Sequence, residues 1–98
     1  MQFLIIAYDY TDPDALNRRM AVREQHLALA DANKHKGHAV YGIAILDSRD
    51  KMIGSVMVMD YPNREALEEW LKDEPYVTGR VWKDISVQAC RVGPTFIK

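Results

Sequence analysis

The sequence predicts an α+β domain whose strands and helices follow the order βαββαβ. Short apolar runs rich in β-forming residues alternate with two segments of helical character. The two helical segments are separated by two consecutive strand-like runs that a polar turn connects. Turn or helix-capping residues stand at the junctions. We therefore expect a single domain over residues 1–98, with no linker, repeat or low-complexity segment.

The first half of the chain predicts one strand and one long helix. Phe3–Tyr8 is a short apolar run of β-forming residues. Asp12 before Pro13 marks a helix start, because Asp is a good N-cap and Pro is favoured at the first helical position. This helix is expected to run from about Pro13 to about Lys34, and Gly37 ends it.

The second half of the chain predicts a hairpin, a second helix and a last strand. Asn63 is the candidate N-cap of the helix, and Pro75 ends it because the residue before proline disfavours helical dihedral angles. The predicted elements are a strand at His38–Leu46, a polar turn at Asp47–Lys51, a strand at Met52–Met59, a helix at Arg64–Lys72 and a strand at Asp84–Val92.

The compact arrangement of these elements is a four-stranded antiparallel sheet with both helices on one face, the ferredoxin-like plan. The first and third strands are central in that plan, and both are apolar on both faces in this sequence. Because two helices cover only one face, a monomer would expose an apolar patch of several hundred Å², more than soluble monomers usually tolerate. We therefore expect a homodimer that joins the uncovered sheet faces of two copies.

Composition and charge exclude several classes of protein. The net charge of −1 argues against a non-specific nucleic-acid binder, which needs a basic surface. No apolar run reaches membrane-spanning length, and the stretch from Met1 lacks the basic start of a signal peptide and is interrupted by Asp9. The single cysteine, Cys90, excludes an internal disulfide and suits a reducing compartment. A cytoplasmic protein is the default expectation.

The long predicted helix carries charged and titratable side chains where a packing helix would carry apolar ones. Arg19, Arg23 and His26 lie along one line of the helix, with Arg23 inside the expected apolar stripe and the other two at its edge. A charge held against a sheet needs a carboxylate, a ligand anion or water. This face is therefore the first place to look for chemistry. The expected apolar stripe consists of Leu16, Met20, Leu27 and Ala30.

His26 and Asp9 are the candidate catalytic residues. Imidazole titrates near neutral pH, so His26 can act as a general acid or base in a cleft between helix and sheet. Asp9 ends the first strand, from which its carboxylate can orient His26 or pair with Arg23. The alternatives are a surface histidine on the helix flank and a turn-forming aspartate bonded to nearby backbone amides.

Further polar residues are candidates for substrate binding. Arg19 and Arg23 can hold an anion, and Ser55, after Gly54 in a central strand, places a hydroxyl among apolar neighbours. A β-bulge explains the Gly54-Ser55 pair equally well, and no nucleophile motif surrounds the serine. Glu74 and Tyr76 lie at the pocket rim if their segment does more than end a helix.

No metal or cofactor is expected. His35 and His38 form a weak metal-binding pattern without a cysteine or carboxylate beside it. The expected ligand is a small molecule, and neither nucleic acid nor membrane is an expected partner. Trp70 and Trp82 are most simply core or interface residues.

Five motifs follow one another in order over nearly the whole chain: Asp9, Arg23-Glu24-Gln25-His26-Leu27, Gly54-Ser55, Trp70 and Asp73-Glu74-Pro75-Tyr76-Val77. Taken together, they resemble the YciI-like (YCII-related) family. This resemblance implies a ferredoxin-like fold, a dimer and a cleft with a histidine and an aspartate that match His26 and Asp9. The family includes an enzyme that eliminates chloride from a chlorinated hydroxyhydroquinone, and most of its members have no assigned reaction.

The sequence departs from the family pattern at two positions near the expected pocket rim. The family usually has Asp directly before Pro75, where this chain has Glu74, and a glycine where this chain has Arg80. The leading hypothesis is a cofactor-independent acid/base enzyme, of lyase, dehydrochlorinase or hydrolase-like type, acting on a small anionic or phenolic compound. The alternative is a non-catalytic ligand-binding or accessory dimeric module.

Overall fold

The computed structural model describes residues 1–97 and has the predicted order of elements. Its strands and helices alternate as βαββαβ, with one additional short helix after the second long one. The elements are β1 (Gln2–Asp9), α1 (Ala15–His35), β2 (Ala39–Leu46), β3 (Met52–Asp60), α2 (Arg64–Asp73), α3 (Pro75–Thr78), β4 (Trp82–Cys90) and a final 3₁₀ turn (Pro94–Phe96). No helix within residues 1–97 has both the length and the apolar character that crossing a bilayer requires.

The four strands form one antiparallel sheet in the order β2-β3-β1-β4. The prediction that the first and third strands are central is therefore confirmed. Ile5 of β1 pairs with Met57 on one side and with Val87 on the other, so all three side chains lie on the same sheet face. This face is the one that the helices cover.

The core lies between that face and the helices. Burial alternates along β1, where Phe3, Ile5 and Ala7 are buried and their neighbours are not. The helices α2 and α3 contribute apolar side chains to the same cluster, and Val22 and Leu29 of α1 pack against it. The buried members from β3, the helices, β4 and the residue just before β4 are Met57, Met59, Leu67, Trp70, Tyr76, Trp82 and Val81.

The opposite sheet face carries apolar side chains that nothing within residues 1–97 covers. Its central residues are half-buried, and its outer residues Tyr8, Tyr41 and Ile43 are 49%, 52% and 55% exposed. The central residues of this face are Leu4, Ile6, Val56 and Val58.

Local signals explain most of the element ends. The Asn63 side chain accepts a hydrogen bond from the Ala66 amide at 2.8 Å, which confirms it as the N-cap of α2. Gly37 has φ +83°, the left-handed conformation that glycine adopts without strain after a helix.

Three predicted boundaries were wrong by two residues. The first helix begins at Ala15, two residues after Pro13, because the preceding residues form a turn in which the Ala15 amide donates to the Asp12 carbonyl. The last strand begins at Trp82 and ends at Cys90, two residues earlier at each end than expected. It starts early because Trp82 packs into the core.

The predicted apolar stripe of α1 was also wrong. Met20 and Leu27 are 51% and 46% exposed, and the buried residues of this helix are Ala15, Arg19, His26 and Asn33. The stripe that faces the core lies one residue away from the apolar one, and it is largely polar. Helix α1 therefore docks on the sheet through hydrogen bonds as well as apolar contacts.

Candidate active site

A cavity of about 320 Å³ lies between α1 and the sheet, with α3 at one side. Its apolar walls come from α1 and from β2 and β3, including Leu27, Gly42 and Met57. Five of the seven predicted site residues line this cavity. They are Arg19, Arg23, His26, Ser55 and Tyr76.

Arg19 is held by a buried network that crosses from α1 to the sheet. Its Nη1 donates to both carboxylate oxygens of Asp9 at 2.9 Å, and its Nη2 donates to Ser55 Oγ at 2.8 Å. The side chains of Arg19 and Asp9 are only 3% and 5% exposed. The buried Arg19 Nε has no hydrogen-bond partner among residues 1–97. Such a buried, incompletely bonded charge is typical of functional rather than structural positions.

Ser55 receives a second donor from the far end of the chain. Trp82 Nε1 donates to the same Oγ at 3.1 Å. Gly54 allows β3 to approach β1 here, because a Cβ at this position would lie 2.6 Å from the Ala7 carbonyl oxygen. A close approach of two strands therefore explains this glycine, and the register of β2 and β3 also shifts beside it, between Ile45 and Leu46, as the β-bulge alternative requires.

His26 is bonded to Glu74, which lies 48 residues later in the chain. The distance from His26 Nδ1 to Glu74 Oε1 is 2.5 Å, and Glu74 is 1% exposed. A carboxylate oxygen accepts hydrogen bonds, so the ring donates from Nδ1 and its Nε2 remains for another partner. Glu74 Oε1 also accepts from the Tyr76 amide at 3.2 Å, at the start of α3. The carboxylate thus orients the ring and caps a helix.

Aromatic rings hold the imidazole from the other directions. Tyr76 stacks on His26 with ring centroids 3.9 Å apart and an interplanar angle of 14°. Trp82 meets the same imidazole edge-on, with centroids 6.2 Å apart. The Arg19 guanidinium lies 4.6 Å from the centroid of the Tyr76 ring. The orientation of His26 is therefore set by Glu74 and by two rings.

The structure does not form the predicted pair of His26 and Asp9. Asp9 bonds to Arg19, and His26 bonds to Glu74. Neither carboxylate lines the cavity; each lies one hydrogen bond behind a residue that does. The expectation that Asp9 orients His26 was wrong because Arg19 is the cation nearer to the end of β1.

Burial and nearby charges shift two pKa values in this region. Burial raises the pKa of Asp9, and the hydrogen bonds from Arg19 oppose the rise. Burial also raises the pKa of Tyr76, while the nearby Arg19 and Arg23 guanidinium groups oppose it. The phenol of Tyr76 is therefore neutral in the physiological range.

Arg23 differs from Arg19 in having no carboxylate partner. It is half-buried on the cavity wall, and the ion pairs among residues 1–97 do not include it. A desolvated cation without an internal counter-charge favours an anionic ligand. The role of Arg23 in holding an anion stays a prediction.

Sequence reasoning missed the role of Trp82, whose Nε1 bonds into the site while its ring packs in the core. Nothing in the local sequence signals this, because the bonded serine lies 27 residues away. The weak metal pattern takes a structural form instead: His35 Nδ1 bonds to the Asp31 carbonyl, and His38 stacks on Tyr61. No cluster of three or more His, Cys, Asp or Glu side chains that could hold a metal lies within residues 1–97.

The fold and the cavity define a small ferredoxin-like α+β domain with a buried polar site beneath its first helix. The sequence profile of the YCII-related domain matches residues 1–91. The chain therefore belongs to the YCII-related family, as its motifs indicated.

Known proteins support this assignment. An uncharacterised protein of Haemophilus influenzae is 34% identical over 94 residues, which cover 90% of this chain and 94% of that protein. Protein YciI of Escherichia coli is 28% identical over 91 residues, covering 87% and 93%. Among solved structures, 5-chloro-2-hydroxyhydroquinone dehydrochlorinase (TftG) from Burkholderia phenoliruptrix, in complex with 2,5-dihydroxybenzoquinone, has a TM-score of 0.79 at 23% identity, covering 97% and 98%. This last likeness establishes the fold.

Proposed function

We propose that this protein is an acid/base enzyme that acts on a small anionic or phenolic compound in the cavity beneath α1. The observation that carries the proposal is the environment of the His26 imidazole. Its Nδ1 is bonded to buried Glu74, its ring lines the cavity, and Arg23 lines the same cavity without a carboxylate partner. A base with one free nitrogen beside an anion-binding group is the minimum that proton abstraction from an acidic substrate requires.

The residues divide into two groups under this proposal. His26 Nε2 takes the proton from the substrate, and Arg23 and Ser55 hold the substrate oxygens. Glu74 orients the imidazole, and Asp9 holds Arg19 against the cavity wall. This assignment keeps His26 as the predicted base and makes Asp9 a positioning residue.

The reaction that best suits this arrangement is an elimination. The base removes a proton, the freed electron pair forms a double bond within the substrate, and a leaving group such as chloride departs with its own electron pair. The elimination neither consumes nor releases electrons overall, so the proposed reaction needs no oxidant and no redox cofactor. The fold shared with the dehydrochlorinase supports this reaction type. That the substrate is a small anionic or phenolic compound is likewise proposed.

Chloride release from a panel of chlorinated hydroquinones tests the proposal. We expect His26→Gln to lower kcat by about 10²–10⁴-fold, as loss of a general base does. His35→Gln is the matched control, since His35 is an exposed histidine at the end of the same helix. Arg23→Gln should raise KM more than it lowers kcat, and Arg64→Gln, on the exposed surface, should change neither.

The non-catalytic alternative predicts a different result. A binding module would bind members of the panel without releasing chloride, and His26→Gln would change only affinity. A His26→Gln variant that keeps full activity would overturn the catalytic assignment. Wild-type protein that binds these compounds and converts none of them would favour the binding module.

We also propose that the protein is a homodimer through the uncovered sheet face. The support is the apolar character of that face, where Tyr41 and Ile43 are more than half exposed. Light scattering should give a dimer mass for the wild type and a monomer mass for Tyr41→Glu. Met20→Glu, at an equally exposed site on α1, should remain a dimer. A wild-type protein that is monomeric at micromolar concentration would overturn the proposal.

A further inference from the structure

The hydrogen bonds around Ser55 determine which way its hydroxyl group can point. Ser55 Oγ accepts from Arg19 Nη2 at 2.8 Å and from Trp82 Nε1 at 3.1 Å. Guanidinium and indole groups have no acceptor, so both contacts are donations to the serine. A hydroxyl oxygen has two lone pairs and one proton. Both lone pairs are therefore occupied.

The serine proton has no acceptor within the part of the chain that the structure describes. Among residues 1–97, no hydrogen bond has Ser55 Oγ as donor, although the residue is only 3% exposed. A buried donor without a partner is costly, and such groups in native sites commonly meet a ligand. Ser55 also lines the cavity. The cavity is thus the place where this proton can find an acceptor.

We propose that Ser55 acts as a one-way hydrogen-bond donor that selects a ligand oxygen with a free lone pair. This inference rests on the proposed function and narrows its substrate class. The favoured groups are a phenolate, an enolate, a carboxylate or a quinone carbonyl. A ligand group that presents only N–H or O–H protons at this point is rejected, because two donors would face each other. Arg19 and Arg23 on the same cavity wall favour the oxygen that carries negative charge.

Trp82 becomes a positioning residue on this account. Its Nε1–H occupies the second lone pair of Ser55, without which the hydroxyl could rotate and accept from a ligand as well as donate to it. The same arrangement argues against Ser55 as a nucleophile. The candidate bases in the site, Asp9 and His26, are bonded to Arg19 and Glu74 instead of to the serine.

Calorimetric binding of 4-nitrophenolate and 4-nitroaniline, two probes of nearly the same shape, tests the proposal. We expect the wild type to bind the phenolate at least about tenfold more tightly than the aniline, since an unsatisfied donor pair costs about 1–3 kcal/mol. Part of this ratio reflects the charge of the phenolate near Arg23. The contribution of Ser55 is therefore the change in the ratio between the wild type and its Ser55 variants.

Three variants separate the roles. Ser55→Ala should reduce the ratio several-fold, and Ser55→Thr, which keeps the hydroxyl, should largely retain it. Trp82→Phe keeps an aromatic side chain but removes the indole N–H, which frees a lone pair of Ser55 Oγ, so it should raise affinity for the aniline and reduce the ratio. Trp70→Phe is the matched control, because Trp70 is also a core tryptophan but, among residues 1–97, only Trp82 donates an indole hydrogen bond to Ser55.

The outcomes are decisive in each case. An unchanged ratio in Ser55→Ala, equal binding of both probes by the wild type, or binding of neither probe would overturn the proposal. If Ser55→Ala does not fold by circular dichroism, the Trp82→Phe ratio decides alone. A protein that prefers the phenolate to the aniline but converts no chlorinated substrate would support the role of Ser55 and contradict the proposed reaction. A protein that converts a chlorinated substrate but binds both probes equally would support the reaction and contradict the role of Ser55.

Discussion

Arg18 and Arg19 are neighbours on α1, and each binds an aspartate from the segment just before the helix. Arg18 makes two bonds of 2.7 Å to Asp12, and Arg19 makes two bonds of 2.9 Å to Asp9. The side chains of the first pair are 31% and 44% exposed, whereas those of the second are 3% and 5% exposed. Two pairs with the same chemistry therefore stand in opposite environments.

The difference teaches that burial, more than pairing, decides what a charged residue does. The exposed pair is screened by water and adds little to stability. The buried pair has lost its hydration, so each member depends on the other and on Ser55. Only the buried pair adjoins the cavity, where a desolvated charge acts strongly on a ligand.

The largest expected effect comes from removing one arginine of each pair. Arg19→Met should lower the free energy of unfolding by about 3–5 kcal/mol, because it leaves the Asp9 carboxylate buried without a partner. Arg18→Met, the matched control, should change it only slightly. Urea denaturation of the two variants measures the contrast. Equal losses for both would show that burial is not what separates the pairs.

Replacing both members of the buried pair tests whether their stability effects are coupled. Arg19→Met combined with Asp9→Leu removes both buried charges, and we expect it to recover roughly half or more of the stability that Arg19→Met loses. It should still weaken the binding of anionic probes, since the cavity wall keeps Arg23 but loses the guanidinium of Arg19. A double variant as unstable as the sum of its single variants would mean that the two residues do not act as a pair.

Acid titration should show that the pKa values of the two aspartates are shifted in opposite directions. The hydrogen bonds from Arg18 lower the pKa of Asp12 to about 2, below its usual value of 3.8. Burial raises the pKa of Asp9 above that same value. Carboxyl NMR chemical shifts recorded from neutral pH downward should show Asp9 titrating first and Asp12 last. The reverse order would contradict the burial of the Asp9 pair.

The smallest effect is the pH dependence of stability that follows from these shifts. The folded pKa of Asp12 is lowered, so its contribution is fully present above pH 3.8 and is lost as pH falls towards 2. Asp9 has a raised folded pKa, so its ionisation contributes against folding as pH rises above 3.8. The thermal midpoints of the wild type and Asp12→Asn should therefore converge as pH falls from 4 to 2.

The sequence was sufficient for the order of the elements, for the central strands and for five residues of the cavity wall. It was not sufficient for the buried face of α1. The apolar residues Leu16, Met20 and Leu27 have helical spacing, but so do Arg19, His26 and Asn33, and only tertiary bonds decide which set is buried. The rule that the apolar stripe of a helix is its buried face therefore fails for a helix that docks through hydrogen bonds.

The sequence was also not sufficient to predict which charged residues pair with each other. Asp9 and Glu74 were both named, but the choice of partner depends on distances between segments far apart in the chain. Glu74 bonds to His26 from the N-cap position of α3, a short helix that was not predicted from the sequence. Trp82 was missed for the same reason.

The polar residues that α1 buries, Arg19, His26 and Asn33, are spaced seven residues apart, which is two turns of helix. Apolar surfaces tolerate small slips, but hydrogen bonds tolerate almost none, so Arg19 and His26, through their bonds to Asp9, Ser55 and Glu74, set the alignment of the helix along the sheet. Over evolutionary time, point substitutions on the exposed side of α1 should accumulate freely. Insertions or deletions between Arg19 and His26 should be eliminated, because one added residue would turn the imidazole about 100° away from Glu74.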